Sequence, residues 1–182
     1  MLLADHQIIN RVETGDLQIS PFDRERVQPA SVDLLLDHWV RVPSHPGQEI
    51  DVARVWAGHT VLAEIEEVEG WLMQPGDFLL ANTIERITLP FDLAARVEGK
   101  SSLGRLGLAV HVTAGFIDPG FSGQITLEIA NLSQWPIRLR RQMPIAQLGL
   151  VPMAGLPARP YGAAGNRYQG QYGPTESRYT MR

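Results

Sequence analysis

Between Arg96 and Asn131 the chain gathers most of the residue types that can do chemistry. Lys100, Ser101, Ser102 and Arg105 place two cations and two hydroxyls within six residues, with Gly99 and Gly104 leaving the backbone open to a ligand. Arginine offers a planar fork to phosphate oxygens and lysine a point charge, so the stretch can cradle a polyanion. Lys100 is also the one lysine of the chain. A solvated Gly-Ser turn would account for the same residues taken alone. Asp118, in Gly115-Phe116-Ile117-Asp118-Pro119-Gly120, stands in a tight turn that projects one carboxylate. Such turns are common without any function. Glu128 falls on the polar face of the alternating run Gly123-Gln124-Ile125-Thr126-Leu127-Glu128-Ile129, beside Thr126. Solvation is the ordinary fate of such a glutamate.

Other chemistries are excluded by what is missing. Gly99-Lys100-Ser101 imitates the end of a phosphate-binding P-loop, but that loop needs a glycine where Ala94 stands and a helix after the serine. Leu103-Gly104-Arg105-Leu106-Gly107 follows instead, with two glycines that weaken a helix. His6, His38, His45, His59 and His111 are scattered and form no zinc-binding pair. With no cysteine, the chain has no disulfide, no thiol nucleophile and no thiolate zinc site, which suits a reducing cytoplasm. Water activation must therefore use carboxylates, hydroxyls and backbone.

The elements that must position these groups read as strands. The 13 prolines and 17 glycines are spread along the 182 residues and favour short strands over long helices. One segment reads as a helix, capped by Asp5, with Ile8, Ile9 and Val12 on its apolar face and Gly15 ending it. Strands are expected at Ser31–Asp37 and Trp39–Val42, at Phe78–Ala81 and Ile84–Leu89, at 123–129, and at Pro136–Arg140 and Ile145–Leu150. Many short strands between turn signals suggest an antiparallel sandwich, barrel or jelly roll. From about Pro157 aliphatic residues become scarce, so the segment builds no core and reads as a frayed tail or as an arm over a ligand or a neighbouring subunit. A net charge of -4 argues against general nucleic-acid binding. No apolar run reaches the roughly 18–20 residues of a membrane helix, and Met1-Leu2-Leu3-Ala4-Asp5 lacks a signal-peptide pattern.

Order and spacing turn these signals into one. Glu98-Gly99-Lys100-Ser101-Ser102-Leu103-Gly104-Arg105-Leu106-Gly107-Leu108, then His111-Val112-Thr113-Ala114-Gly115-Phe116-Ile117-Asp118-Pro119-Gly120-Phe121-Ser122-Gly123, then Ile125-Thr126-Leu127-Glu128, resemble the dCTP deaminases of the dUTPase-like superfamily. Met1-Leu2-Leu3-Ala4-Asp5, Gln28-Pro29-Ala30-Ser31-Val32-Asp33 and Tyr168-Gln169-Gly170-Gln171 extend the resemblance over nearly the whole chain. It implies a mainly β, distorted jelly-roll or β-barrel subunit with a short N-terminal helix, assembled as a homotrimer in the cytoplasm. The catalytic domain would span residues 1–156, and an arm of residues 157–182 would close over an active site built between subunits. Carried over, Ser101 and Glu128 are the deamination residues, Arg105 supports them, and the Ala114 carbonyl helps hold the water. Lys100, Ser101, Ser102, Leu103, Gly104, Arg105, Asp118, Thr126, Leu127, Glu128, Gln147, Tyr161, Arg167 and Gln171 are the expected nucleotide contacts. Magnesium is expected on the substrate phosphates, with no protein metal ligand, no nucleic-acid partner and no membrane.

Deamination fits these residue types. Water must add to the cytosine ring, a proton must reach the ring nitrogen, and ammonia must leave. One carboxylate can take and return the proton, as glutamate does in zinc deaminases, while a serine hydroxyl and a carbonyl orient the water. Two subtypes of the family differ in product, dUTP or dUMP with pyrophosphate. Gly115-Phe116 stands where dUTP-releasing members often carry His-Arg, so the resemblance favours the dUMP-forming subtype, with Asp118 serving the phosphate step. A dUTP-releasing deaminase, a plain dUTPase and a non-catalytic nucleotide-binding protein on the same fold are the rival readings. Two departures from the family pattern are Arg167, where lysine is usual, and Arg140-Arg141-Gln142-Met143-Pro144 in place of a Pro-Gly turn.

Overall fold

Apolar residues at alternate positions, broken every few residues by proline or glycine, leave this chain little choice but extended backbone. A computed structural model describes residues 1–47, 49–53, 58–163 and 166–179. In chain order the elements are α1 (Asp5–Glu13), β1 (Gln18–Ser20), a 3-10 turn (Arg24–Arg26), β2 (Val27–Gln28), β3 (Ser31–Pro43), β4 (Thr60–Glu64) and β5 (Trp71–Met73). There follow β6 (Phe78–Thr88), β7 (Leu93–Gly99), α2 (Ser101–Gly104), β8 (Leu108–Val110), β9 (Phe116–Ile117), β10 (Ser122–Asn131), β11 (Ile137–Leu139) and β12 (Pro144–Pro152). One sheet runs β8-β10-β6-β3-β12-β7-β9, with β1 added to β6 and β2 and β4 added to β3; β11 and β5 form a separate pair. Every pairing is antiparallel. The fold is mainly β, as expected. Leu34, Leu36, Leu79, Ile87, Leu127 and Leu148 are among the fully buried side chains of its one core.

Two expected strand pairs are in fact single strands. Ser31–Asp37 and Trp39–Val42 join through His38 into β3, and Phe78–Ala81 and Ile84–Leu89 join through Asn82 and Thr83 into β6. The polar residues did not break the strands because their donor groups find partners inside, although Asn82 Oδ1 is buried without one. Asn82 donates to Asp37 Oδ2 at 2.8 Å, and the Thr83 hydroxyl donates to the Glu85 carbonyl at 2.8 Å. A register irregularity between Leu36 and Val40 accommodates the bend. In α1 the cap is Ala4, not Asp5: the Ala4 N–H donates to Gln7 Oε1 at 2.9 Å, while Asp5 occupies the first turn, where the helix dipole favours an acid. The residues after Ser101 do form helix α2, but for four residues only. Among the described residues no helix is long and apolar enough to cross a membrane.

Two local features hold the scaffold and can be tested. Arg11 of α1 forks onto Asp92, with Nη1 and Nη2 at 3.1 and 2.8 Å from its two oxygens, so the guanidinium hydrogen bond holds the Asp92 carboxyl below its ordinary range. A lowered carboxyl pKa stabilises the fold above the ordinary aspartate value, and that stability is lost as pH falls through the lowered one. The urea-midpoint gap between wild type and Arg11→Met should accordingly be widest near neutral pH and narrow below about pH 4. A gap independent of pH would count against the pair.

In the Arg140–Pro144 turn, Gln142 takes φ 61, the left-handed region that glycine usually fills, while its N–H donates to the Leu36 carbonyl at 2.8 Å. The turn thus takes left-handed backbone at a residue other than glycine. Gln142→Val should lower stability by about 1–2 kcal/mol, because a β-branched side chain resists that backbone, whereas Gln142→Gly should lower it by less than about 0.5 kcal/mol. Chemical denaturation with an unchanged m-value checks both.

Candidate active site

The site is built on β10. Leu127 and Ile129 are buried, so Thr126 and Glu128 are turned to the opposite face, towards a cavity of about 480 Å³ that the buried Ile125 also borders. That size lies within the range of small-molecule sites. Phe78, Leu80 and Val97 give the cavity an apolar floor; Ala114, Phe116 and Asp118 form one side, and Tyr161, Tyr168, Gln171, Thr175 and Ser177 of the C-terminal segment form another.

Glu128 is held from both ends. Its backbone N–H donates to Nδ1 of His111 at 3.1 Å, which assigns the proton of a neutral ring to the other nitrogen. Its Oε2 accepts from the Thr113 N–H at 3.1 Å and the Thr113 hydroxyl at 2.9 Å. The half-buried carboxylate borders the cavity, with its second oxygen unconstrained by Thr113. The strand run on its own had offered only a solvated glutamate.

The Ala114–Asp118 side is pinned by close backbone packing. The Gly115 carbonyl accepts from the Val97 N–H at 2.7 Å, and a Cβ on residue 115 would stand 2.4 Å from the Val97 carbonyl oxygen. Only glycine fits there. Asp118 is exposed at the cavity edge, in a turn closed by the Phe121 N–H on the Asp118 carbonyl at 3.2 Å. Tyr161 packs edge-on against Phe121 with ring centroids 5.6 Å apart, and its N–H donates to the Pro119 carbonyl at 2.8 Å.

The C-terminal segment lies along β10. Gln171 exchanges bonds with Gln124, its carbonyl accepting from the Gln124 N–H at 3.1 Å and its Nε2 donating to the Gln124 carbonyl at 2.7 Å. The Gly173 N–H donates to Gln124 Oε1 at 2.7 Å, and the Thr175 N–H to Thr126 Oγ1 at 3.1 Å. Beneath it, Gln124 Nε2 donates to Asp37 Oδ2 at 3.2 Å. Burial raises the Asp37 pKa, but the His38 N–H, the Asn82 amide and the His38 ring outweigh it and hold the carboxyl below its ordinary value.

The other expected residues lie elsewhere on this chain. Ser101, Ser102, Gly104 and Arg105 are exposed in and just after α2, Leu103 is half-buried, and none of them lines the cavity. Lys100 Nζ pairs with the buried Asp33 Oδ1 at 2.6 Å, and Gln147 Nε2 donates to the Gly99 carbonyl at 3.2 Å, so Lys100 and Gln147 belong to this second cluster. Leu127 is a core residue, its side chain facing away from the cavity. The Arg167 guanidinium lies over the Tyr179 ring, 5.4 Å from its centroid, outside the cavity lining. Within the chain the expected residues thus form two groups, with Glu128, Ala114, Asp118, Thr126, Tyr161 and Gln171 around the cavity and Lys100–Arg105 with Gln147 apart from it. His59, His111, Thr113, Phe116, Tyr168, Thr175 and Ser177 also border the cavity or hold Glu128, although no role was expected of them. His111 and Thr113 stood inside the motif block, but their bonds cross from the segment after β8 to β10 and leave no mark in local spacing.

The fold and this site define a mainly β protein with a ligand-sized cavity beside β10, and comparison with known proteins gives its family. The model of the dCTP deaminase-like family matches residues 2–153, and the chain belongs to that family. It is 50% identical over 181 residues, 98% of this chain and 96% of the relative, to a protein of Corynebacterium glutamicum (strain R) named dCTP deaminase, dUMP-forming. A protein of Thermobifida fusca with the same name is 50% identical over 98% of this chain and 92% of its own. Among solved structures, the 2'-deoxycytidine 5'-triphosphate deaminase of Agrobacterium tumefaciens superposes with TM-score 0.64 and 25% identity, covering 82% of this chain and 47% of that one. The native EIAV dUTPase gives TM-score 0.51 at 20% identity over 80% of this chain and 93% of its own, a likeness of fold that identifies the curled sheet as dUTPase-like. A mutant dUTPase from phage phi11 of S. aureus, described as revealing the coordination of a structural Mg(II) ion, gives TM-score 0.52 at 12% identity over 79% of this chain and 94% of its own.

The packing at residue 115 yields a test. Gly115→Ala should cost about 1–3 kcal/mol of stability by overpacking, and should displace the Ala114 carbonyl enough to reduce turnover more than the stability loss explains. Ala114→Gly, which adds no atoms, is the control, and activity assays well below the unfolding midpoint separate the two effects.

Proposed function

We propose that this chain is a dUMP-forming dCTP deaminase, a hydrolase that converts dCTP and two waters into dUMP, pyrophosphate and ammonia. The observation that carries the reading is that Glu128 and Asp118 border one cavity, alongside Ala114, Tyr161 and Gln171. Relatives of that name at 50% identity over the whole chain support it. In the first step Glu128 takes a proton from water as the water oxygen adds to the ring carbon and passes it to the ring nitrogen; it then carries the proton of the new hydroxyl to the amino group, so that the carbonyl forms and ammonia leaves. The Ala114 carbonyl orients the water, and Ser101 with Arg105 completes the site. In the second step a water oriented by Asp118 attacks the phosphorus next to the sugar, and pyrophosphate departs.

The separation of Lys100–Arg105 from the cavity favours a homotrimer in which α2 of a neighbouring subunit supplies the phosphate contacts. Leu106, Leu132 and Trp135 are exposed apolar side chains available for that interface. Residues 1–156 then form the catalytic domain and residues 157–182 the arm, of which 164, 165 and 180–182 lie outside the described residues. Among the described residues no three His, Asp or Glu side chains converge as a metal-holding group. Magnesium in this proposal comes with the triphosphate, where it would neutralise phosphate charge. The absence of cysteine suits a cytoplasmic enzyme.

Purified enzyme given dCTP and magnesium should release ammonia, pyrophosphate and dUMP without accumulating dUTP. Glu128→Gln should lower ammonia release by about 100-fold or more while still binding nucleotide. Asp118→Asn should go on releasing ammonia and stop at dUTP. Accumulation of dUTP by the wild type would instead establish the dUTP-releasing reading, and turnover of dUTP alone would establish a plain dUTPase.

A further inference from the structure

Beyond Gln171 the arm leaves β10 and comes down on the β3–β4 hairpin, where a single carboxylate is held from several directions. Glu176 Oε1 accepts from the Thr60 N–H at 3.0 Å and from the Thr60 hydroxyl, and Oε2 accepts from the Gly58 N–H at 3.2 Å. Arg41 Nη1 lies 3.4 Å from Oε1, and Arg41 Nε donates to the Pro174 carbonyl at 2.8 Å. Burial works against the Glu176 charge, but the Thr60 hydroxyl, the two N–H groups and Arg41 outweigh it and keep the carboxyl below its ordinary value. Glu176 also divides two cavity-lining residues. Thr175 and Ser177 line the cavity, and Glu176 between them faces the hairpin. In an extended segment, fixing the middle residue fixes the direction of both neighbours.

We infer that Glu176 is a latch and a positioning residue: its capture by Arg41, Gly58 and Thr60 holds the arm closed over the cavity and aims Thr175 and Ser177 at the bound nucleotide. The effect on catalysis rests on the reading of the cavity as a pyrimidine-nucleotide site, whereas the latch itself does not. The latch lies outside the hydrophobic core, so its loss opens the arm without unfolding the sheet. Apparent affinity for a ligand that needs a closed arm falls in proportion to the closed fraction, whereas the chemistry of a closed complex is unchanged. The latch therefore acts on KM and spares kcat.

The test uses the full chain as wild type, Glu176→Ala, Glu176→Gln, Arg41→Ala and the Glu176→Ala/Arg41→Ala double variant. Trypsin should cut after Arg167 and Arg178 about five- to tenfold faster in Glu176→Ala without nucleotide, with the urea midpoint unchanged. KM for dCTP should rise about tenfold, the scale of one lost charge-assisted hydrogen bond, with kcat within about twofold of wild type. Glu176→Gln, which keeps an acceptor and loses the charge, should fall between. The double variant should lose less than the sum of the two single variants, because both remove the Arg41–Glu176 contact, while Arg41 separately holds the Pro174 carbonyl and Glu176 separately holds Gly58 and Thr60. Wild-type cleavage rates in Glu176→Ala, fully additive variants, or a lower kcat at unchanged KM would each overturn the latch. If the wild type turns over no dCTP, the functional reading fails and proteolysis alone decides the latch.

Discussion

The register of β10 is the constraint on which the site depends. From Thr126 onward its side chains alternate between core and cavity, with Leu127 and Ile129 inward and Thr126 and Glu128 outward, while Ile125 is buried and also borders the cavity. Burying three such side chains is worth roughly 5–9 kcal/mol as an upper figure, far more than any contact Glu128 makes. A slip of one residue would put the glutamate in the core and the leucine in the cavity. The pairing partners leave no room for it: Glu128 lies opposite Leu80 on β6, and Ile129 lies opposite both Leu79 on β6 and Val110 on β8. Hydrophobic burial therefore aims a carboxylate that hydrogen bonds alone could not have aimed. Thr113 and His111 refine that direction; they do not create it.

The same strand carries a second, polar layer of organisation. A register shift between Gln124 and Thr126 breaks the strict alternation and lets Gln124 turn inward beside Asp37, where it is buried. Its amide also donates to the Thr83 carbonyl at 3.0 Å, while its backbone N–H, carbonyl and Oε1 meet the C-terminal arm at Gln171 and Gly173. A buried amide left half-satisfied would cost about 1–3 kcal/mol, so the arm is needed to complete Gln124 and Gln124 is needed to seat the arm. Asp37 thereby couples β3, β6, β10 and the arm through two amide side chains.

What could be read in advance follows from which interactions are local. The alternation of 126–129, the turn at Asp118–Gly120 and the apolar face of α1 depend on near neighbours and were visible in residue order, whereas Gln124, expected on the face of Thr126 and Glu128, is turned inward by the register shift. The resemblance of the central block carried the family and, with it, the expected roles of Ser101, Glu128 and Asp118. The continuity of β3 and β6 was hidden because Asn82 and Thr83 look like strand breakers until their partners on β3 and within β6 are known. The pairing of Lys100 with Asp33 spans 67 positions, and that of Arg41 with Glu176 spans 135, so neither has any local signature. The left-handed Gln142 was equally opaque, since glutamine gives no sign of the backbone it will take.

The composition of the arm follows from its being held by polar contacts. An apolar arm would bind the cavity floor of Phe78, Leu80 and Val97 by burial and would not let go without exposing that area to water. Tyrosine, glutamine, threonine and glutamate are solvated well when released and bonded well when seated, so the free-energy difference between the two states stays small. Each contact to β10 or the hairpin exchanges a hydrogen bond with water for one with protein and adds about 1 kcal/mol at most when neutral. The charged contact at Glu176 is the largest single increment available to such a segment. In the latch proposal, an arm balanced this way opens to admit a ligand and closes again within a turnover.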